Sequence, residues 1–358
     1  MAVKDNYRFL NIVAGLFLAG FCVFAAKELS SILIPFVLAL IISFVFEPFF
    51  QWLKSKNIPQ GIAIIIILIS IIVIANIASV FIVASVNSFS SNFSVYEDKF
   101  FKLVNELAIS LKLSSEEIQR INDFLNFKHL LKESSITEFI ANFLTGFVSI
   151  FGDFVLILLY IIFILSELGN IKERVKIAFT DERAAGISQT LDSIFKDVRT
   201  YISGKTIISL ILGISSGLVL WIFGVDFYFI WAFLIFISHY IPNIGAIFGI
   251  TLPAIVMFLQ FDNIVTPIIV TCILIALDNI IGNIIEPKVL GDRLNLSPLL
   301  LLLSLFAGEY MWGIVGMILS VPIVSMLKIV LMNFESTKPM AILMSYKPEK
   351  IRKKIFKF

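Results

Sequence analysis

The stretch that decides the reading is "NIIGNIIEPKVLGDRLNLSP", residues 279–298, set between two long apolar runs. It holds two of the residue types that end helices, and it gathers polar side chains where the flanking sequence has almost none. Asn279, Asn283 and Glu286 are spaced 4 and 3 apart, so an α-helix would put them on one face, with Asp278 one step round. Pro287 follows Glu286 and predicts that the helix stops there. Gly291 offers a hinge, and Ser297-Pro298 offers an N-cap followed by proline at the first helical position. The plain interpretation is the wet end of a helix at a membrane surface. The functional one is a break that builds a site, because transporters form binding sites from interrupted helices whose free N-termini carry partial positive charge.

Composition explains why a membrane enters the argument. The chain has 358 residues, 59% hydrophobic and only 15% charged, where a soluble domain is about a quarter charged. Its mean hydropathy is +0.98. An all-α integral membrane protein is expected. A net charge of +2 gives no electrostatic footprint for nucleic acid. Cys22 and Cys272 both lie in apolar runs and define no disulfide framework, and His129 and His239 are too few for a histidine-based zinc motif. No cofactor is expected.

A helix needs about 20 apolar residues to cross a hydrocarbon core of about 30 Å. Working outward from residues 279–298, about eight transmembrane helices are expected, including two hairpins or re-entrant segments. Residues 1–86 hold three spans, the first being a retained helix at 9–26. Residues 87–138 form an extracytoplasmic helical subdomain with capping-box patterns at Ser114–Glu117 and Ser135–Glu138. Residues 139–166 are a fourth span, and 167–204 a cytoplasmic amphipathic segment. Residues 205–334 are the transport core, and 335–358 a basic cytoplasmic tail suited to anionic lipid. Within the core, 227–261 would reach about 52 Å as one helix. Pro242 and Gly245 turn it into a hairpin, and a second hairpin is expected over 294–327 with its break at Gly308-Glu309. Lysine and arginine placement puts both termini in the cytoplasm of a bacterial inner membrane.

Two motifs fail. Gly204-Lys205-Thr206 resembles the end of a phosphate-binding loop, but Arg199 stands where the first glycine belongs, so a built-in ATPase is rejected. Gly213-Ile214-Ser215-Ser216-Gly217 matches a nucleophile elbow but lies inside an apolar run. Gly213/Gly217 and Gly245/Gly249 read better as helix-packing faces. The substrate- or ion-binding candidates are Asp153, His239, Tyr240, Asn243, Asp278, Asn279, Asn283 and Glu286. An ionisable group inside a span demands a partner or a cavity. His239, Tyr240 and Asn243 would form the wall opposite Glu286, and Asp153 near the centre of its run reads equally as a structural acid.

The stretches "IPNIGAIFGITLPAI" (241–255), "NIIEPKVLGDRLNLSPLLLLLSLFAG" (283–308) and "WGIVGMILSVPIVSMLKIV" (312–330) resemble the autoinducer-2 exporter family. So do "LIPFVLALIISFVFEP" (33–48) and "VRTYISGKTIISLILGI" (198–214). The resemblance covers nearly the whole chain in order. It implies ATP-independent export of a small polar molecule, with autoinducer-2, a quorum-sensing signal, as a candidate cargo. Sodium (cation)/proton antiport is the alternative known within the family; an intramembrane serine protease, raised only by the Gly213–Gly217 match with His239 as the one membrane histidine, is a remote alternative. It also implies a homo-oligomer of five copies. Ala246 and Lys205 depart from the family pattern, the latter standing where an uncharged polar residue is common.

Overall fold

Long apolar runs in lipid must satisfy their backbone groups internally, and here they do so as helices. The structure, a computed structural model, describes residues 23–110, 153–168, 170–241, 244–290 and 296–346, with single positions 13, 17, 20 and 21. Among the described residues no strand is formed, only an isolated bridge between Leu296 and Ser345. The helices are α1 (Ser30–Ser55), α2 (Gln60–Ser110), α3 (Phe154–Leu168), α4 (Ile171–Ala178), α5 (Asp181–Ile222), α6 (Tyr228–Ser238), α7 (Ile244–Gln260) and α8 (Val265–Asn279). A π-helical turn at Ile280–Ile285 leads into α9 (Glu286–Leu290), followed by α10 (Pro298–Met332) and α11 (Lys338–Leu343). Among the described residues five helical stretches are long and apolar enough to cross a membrane: Ser30–Ser55, Gln60–Ser85, Asp181–Ile222, Val265–Leu290 and Pro298–Met332. The chain is a multi-pass, all-α membrane protein. Most of the expected first span, residues 111–138 of the outer insertion, residues 139–152 of the fourth span, and the tail from 347 lie outside the described residues.

The helices belong to two compact units. One comprises residues 1–48, 148–199 and 295–358. It is tied by a Glu47–Arg199 ion pair of 2.7 Å, an edge-on Phe36–Tyr160 contact and a Trp312 indole that donates to the Ala26 carbonyl. Within it, α10 is not straight. Trp312 and Gly313 leave helical geometry, Gly313 at φ 62. Gly308 and Gly316 would lie about 12 Å apart along a straight helix. Instead, a Cβ on Gly308 would stand 2.4 Å from the Gly316 carbonyl oxygen. The expected hairpin is therefore present, but its break is at Trp312-Gly313 rather than Gly308-Glu309. Gly308 packs the two arms together.

The second unit comprises residues 49–147 and 200–294. Its core gathers Leu220, Val225, Trp231, Val256, Met257, Val270 and Leu274. Here α6 and α7 form the other expected hairpin. At 11 and 17 residues its arms reach only about 16 and 26 Å. A Cβ on Gly245 would meet the Ser238 carbonyl oxygen at 1.7 Å, so only glycine fits the fold-back. Gly249 packs on Ile235 and Ser238, while Gly213 and Gly217 seat Phe236 and Ala232 of α6. Both glycine pairs are thus spent inside the chain. The expected boundary near residue 87 is not a break, because α2 runs uninterrupted to Ser110.

Candidate functional site

The densest polar cluster in the second unit is built from three helices. α5 contributes Lys205, Thr206 and Ser209. The C-terminal end of α6 contributes His239 and Tyr240, and the start of α9 contributes Glu286. Gly204 makes the approach possible: a Cβ there would lie 2.6 Å from Leu290 Cδ2, so α5 and α9 are already in contact one residue before Lys205. Lys205 Nζ then donates to Glu286 Oε1 at 2.7 Å. The lysine side chain is 2% exposed and the glutamate side chain 10%. Glu286 Oε2 lies 3.4 Å from His239 Nε2, and His239 Nδ1 is 2.8 Å from Ser209 Oγ. A neutral imidazole carrying its proton on Nε2 meets both contacts, pointing N–H at the carboxylate and accepting from the serine hydroxyl. Thr206 Oγ1 and Tyr240 OH share a 2.7 Å hydrogen bond beside them. Gly282 faces His239 Nε2 and leaves it room.

A small cavity of about 10 Å³ opens beside His239, lined by Ser216, Ser238, Gly245 and Asp278 among others. That is space for about one water molecule. Among the described residues the network is closed around its own side chains. A further polar cleft, about 370 Å³, lies where Tyr96, Lys99, Asp226 and Gln260 meet. There the Tyr96 hydroxyl donates to the Asp226 carboxylate and Lys99 donates to the Gln260 carbonyl. Burial pushes the Tyr96 phenol well above its ordinary value, and the Asp226 bond and charge add to that.

The sequence candidates divide. Glu286, His239 and Tyr240 come together as expected, and Asp278 joins them across the small cavity. Asn279 and Asn283 do not. They are exposed, bonded to the Ile275 carbonyl and to each other. The predicted single stripe is split because the π turn intervenes. Glu286 N–H bonds to Ile281 O, five residues back, and a wider turn advances the helix less per residue. Nor does Pro287 end the helix; it sits inside α9. Asp153 is an exposed residue in the turn before α3 and belongs to the other unit. Pro298 does open α10, although Ser297 makes no side-chain cap. Pro242, Asn243 and Gly291 lie outside the described residues. Ser215 bonds to Leu212 O on its own helix, so the serine facing His239 is Ser209. Lys205 is the residue that sequence reasoning missed. Its signal was available, since it is the one charged side chain between Thr200 and Val225. Among the described residues no cluster of His, Cys, Asp or Glu is suited to a metal ion.

Relatives described as "Putative transport protein" include one from Haemophilus influenzae, 28% identical over 96% of this chain and 98% of its own length. YhhT of Escherichia coli K12 is another, 28% identical over 88% of each chain. The AI-2 transport protein TqsA of the same strain is 28% identical over 88% of this chain and 90% of its own length. The family model described as AI-2E family transporter matches residues 12–336, and the chain belongs to that family of membrane transporters.

Proposed function

We propose that the protein exports a small polar molecule without ATP, through the second unit, with the Lys205–Glu286–His239 network as the functional core. The observation that carries this is the burial of a bonded lysine, carboxylate and imidazole among helices long and apolar enough to span a membrane. Charges in that setting are costly and are kept where they serve a pathway or a partner. The name of TqsA supports autoinducer-2 as the first cargo to test. The distribution of basic residues supports cytoplasmic termini in a bacterial inner membrane, with the tail from 335 suited to anionic lipid. The resemblance to the exporters supports a homo-oligomer of five copies.

Cation/proton antiport is the second reading, favoured by Asp278, a half-buried carboxylate on the cavity beside His239. The protease reading gains no support, because Ser215, its candidate nucleophile, bonds back to Leu212 O, while the His239 ring is bonded to Ser209. The deciding experiment is flux in proteoliposomes, with a panel of small polar solutes in one arm and sodium driven by a pH gradient in the other. Cargo movement that Glu286→Gln impairs at matched protein levels supports export. Sodium flux without cargo movement favours antiport, and neither flux defeats both.

A further inference from the structure

We propose that Lys205 is a tethered cation: its ammonium occupies the place of a soluble cation beside Glu286, so the site needs no inorganic ion there. This rests on the export reading and concerns the ion requirement of the same site. A carboxylate surrounded by apolar helices must be neutralised, by a proton, by a cation from solution or by a cation of the chain. In this protein the chain supplies it. Nζ sits 2.7 Å from Oε1, with the lysine side chain 2% exposed. Gly204, by admitting Leu290, sets α5 close enough to α9 for the lysine to reach.

The groups facing this pair are few. His239 meets the second carboxylate oxygen at 3.4 Å, and its other nitrogen is taken by Ser209. Among the described residues Asp278 is the remaining acid, on the far side of a cavity of about 10 Å³. Lys205 and Glu286 cancel, and the hydroxyls beside them are already bonded, Ser209 to His239 and Thr206 to Tyr240. A solute ammonium or metal ion would have to displace a cation that cannot diffuse away.

The test is rescue of Lys205→Ala by small cations. Purified protein is heated with sodium, lithium or methylammonium chloride, with choline chloride as the control, and unfolding is followed by tryptophan fluorescence. Wild type should show no saturable shift beyond choline. Lys205→Ala should melt several degrees lower and recover with methylammonium or an alkali ion in a saturable way. Adding Glu286→Gln should abolish the recovery, whereas adding Asp278→Asn should leave it. In proteoliposomes, solute flux by wild type should be indifferent to replacing sodium with choline, while Lys205→Ala flux should become dependent on the rescuing cation. A purely structural ion pair would not produce that dependence. Saturable cation stabilisation of wild type overturns the proposal. So does a Lys205→Ala protein that no cation restores, including one recovered from cells in none of these salts. If wild-type liposomes move no solute, the export reading fails while the melting arm still judges Lys205.

Discussion

Consider a double-mutant cycle on Lys205 and Glu286. Lys205→Met keeps the length of the side chain but leaves a carboxylate, 10% exposed, with only the imidazole 3.4 Å away. Removing one partner of a buried pair costs about 3–5 kcal/mol, because the other charge remains buried. Glu286→Gln orphans the ammonium but keeps a carbonyl within reach of Nζ. Its cost should be nearer the worth of a charged hydrogen bond, about 1.5–3 kcal/mol. The double variant places a thioether against an amide, with no charge left to desolvate. Neutral replacements of buried pairs are often close to wild type, so the double should lie within about 1–2 kcal/mol of it. The coupling is then at least about 2 kcal/mol, well above the few tenths expected of independent sites. Reversible unfolding in mixed micelles, read by tryptophan fluorescence, measures all four corners. Additivity within about 0.5 kcal/mol would show that the two side chains do not act as a pair in the folded protein.

Gly245→Ala and Gly308→Ala should each cost about 3 kcal/mol or abolish folding, since the new methyl would lie 1.7 and 2.4 Å from backbone carbonyl oxygens. Gly61→Ala, with nothing within 4 Å, should be neutral or slightly stabilising by the same melting assay. Tyr96→Phe should cost about 1.5–3 kcal/mol through its lost bond to Asp226. The raised Tyr96 phenol contributes stability that is complete below the ordinary value of 10.0 and is lost as pH rises further. The phenylalanine variant should therefore show a flatter decline above pH 10.0 than wild type. Finally, impermeant thiol labelling of intact cells should reach Asp262→Cys and spare Gln189→Cys, both positions being exposed; the reverse pattern would invert the topology.

What the sequence discloses follows from what lipid demands. Uninterrupted apolar runs can only be helices or barrel strands, and their lengths exclude strands, so the class and most spans are legible. Pro242 and Gly245 disclose the first hairpin because proline and glycine alter backbone options locally. The second hairpin was legible but displaced: Gly308 was read as a hinge, whereas its role is to let the arms touch, and Gly313 takes the left-handed turn. Lys205 was hidden for another reason. Its partner is 81 positions away, and no local pattern connects them. The lysine also stands at the edge of the apolar run from Thr206, where a charge looks like an interfacial residue. Asp153 misled in the opposite way, since its apolar surroundings in sequence are not burial in space.

The π turn accounts for the rest. In an α-helix the series Asn279, Asn283, Glu286 keeps one face. In this protein the buried face runs instead through Ile281, Glu286 and Leu290, which are 4%, 7% and 0% exposed. Their spacings are five and then four. Five is the period of the π bond from Glu286 to Ile281, and four returns to α geometry. Pro287 fits this change of register, because it lacks the N–H that an α ladder would aim at Asn283, and a widened preceding turn relieves its ring. One inserted step thus sends two asparagines to the exposed side and brings a carboxylate inward. An inward carboxylate among apolar helices persists only with a partner. Gly204 admits Leu290, the next residue on that re-phased face, and thereby sets Lys205 beside the acid. The polar break, the bulged helix and the lone lysine of α5 are therefore parts of a single arrangement. Restoring plain α geometry in residues 280–285 would turn Glu286 away from Lys205 and leave both charges without the other.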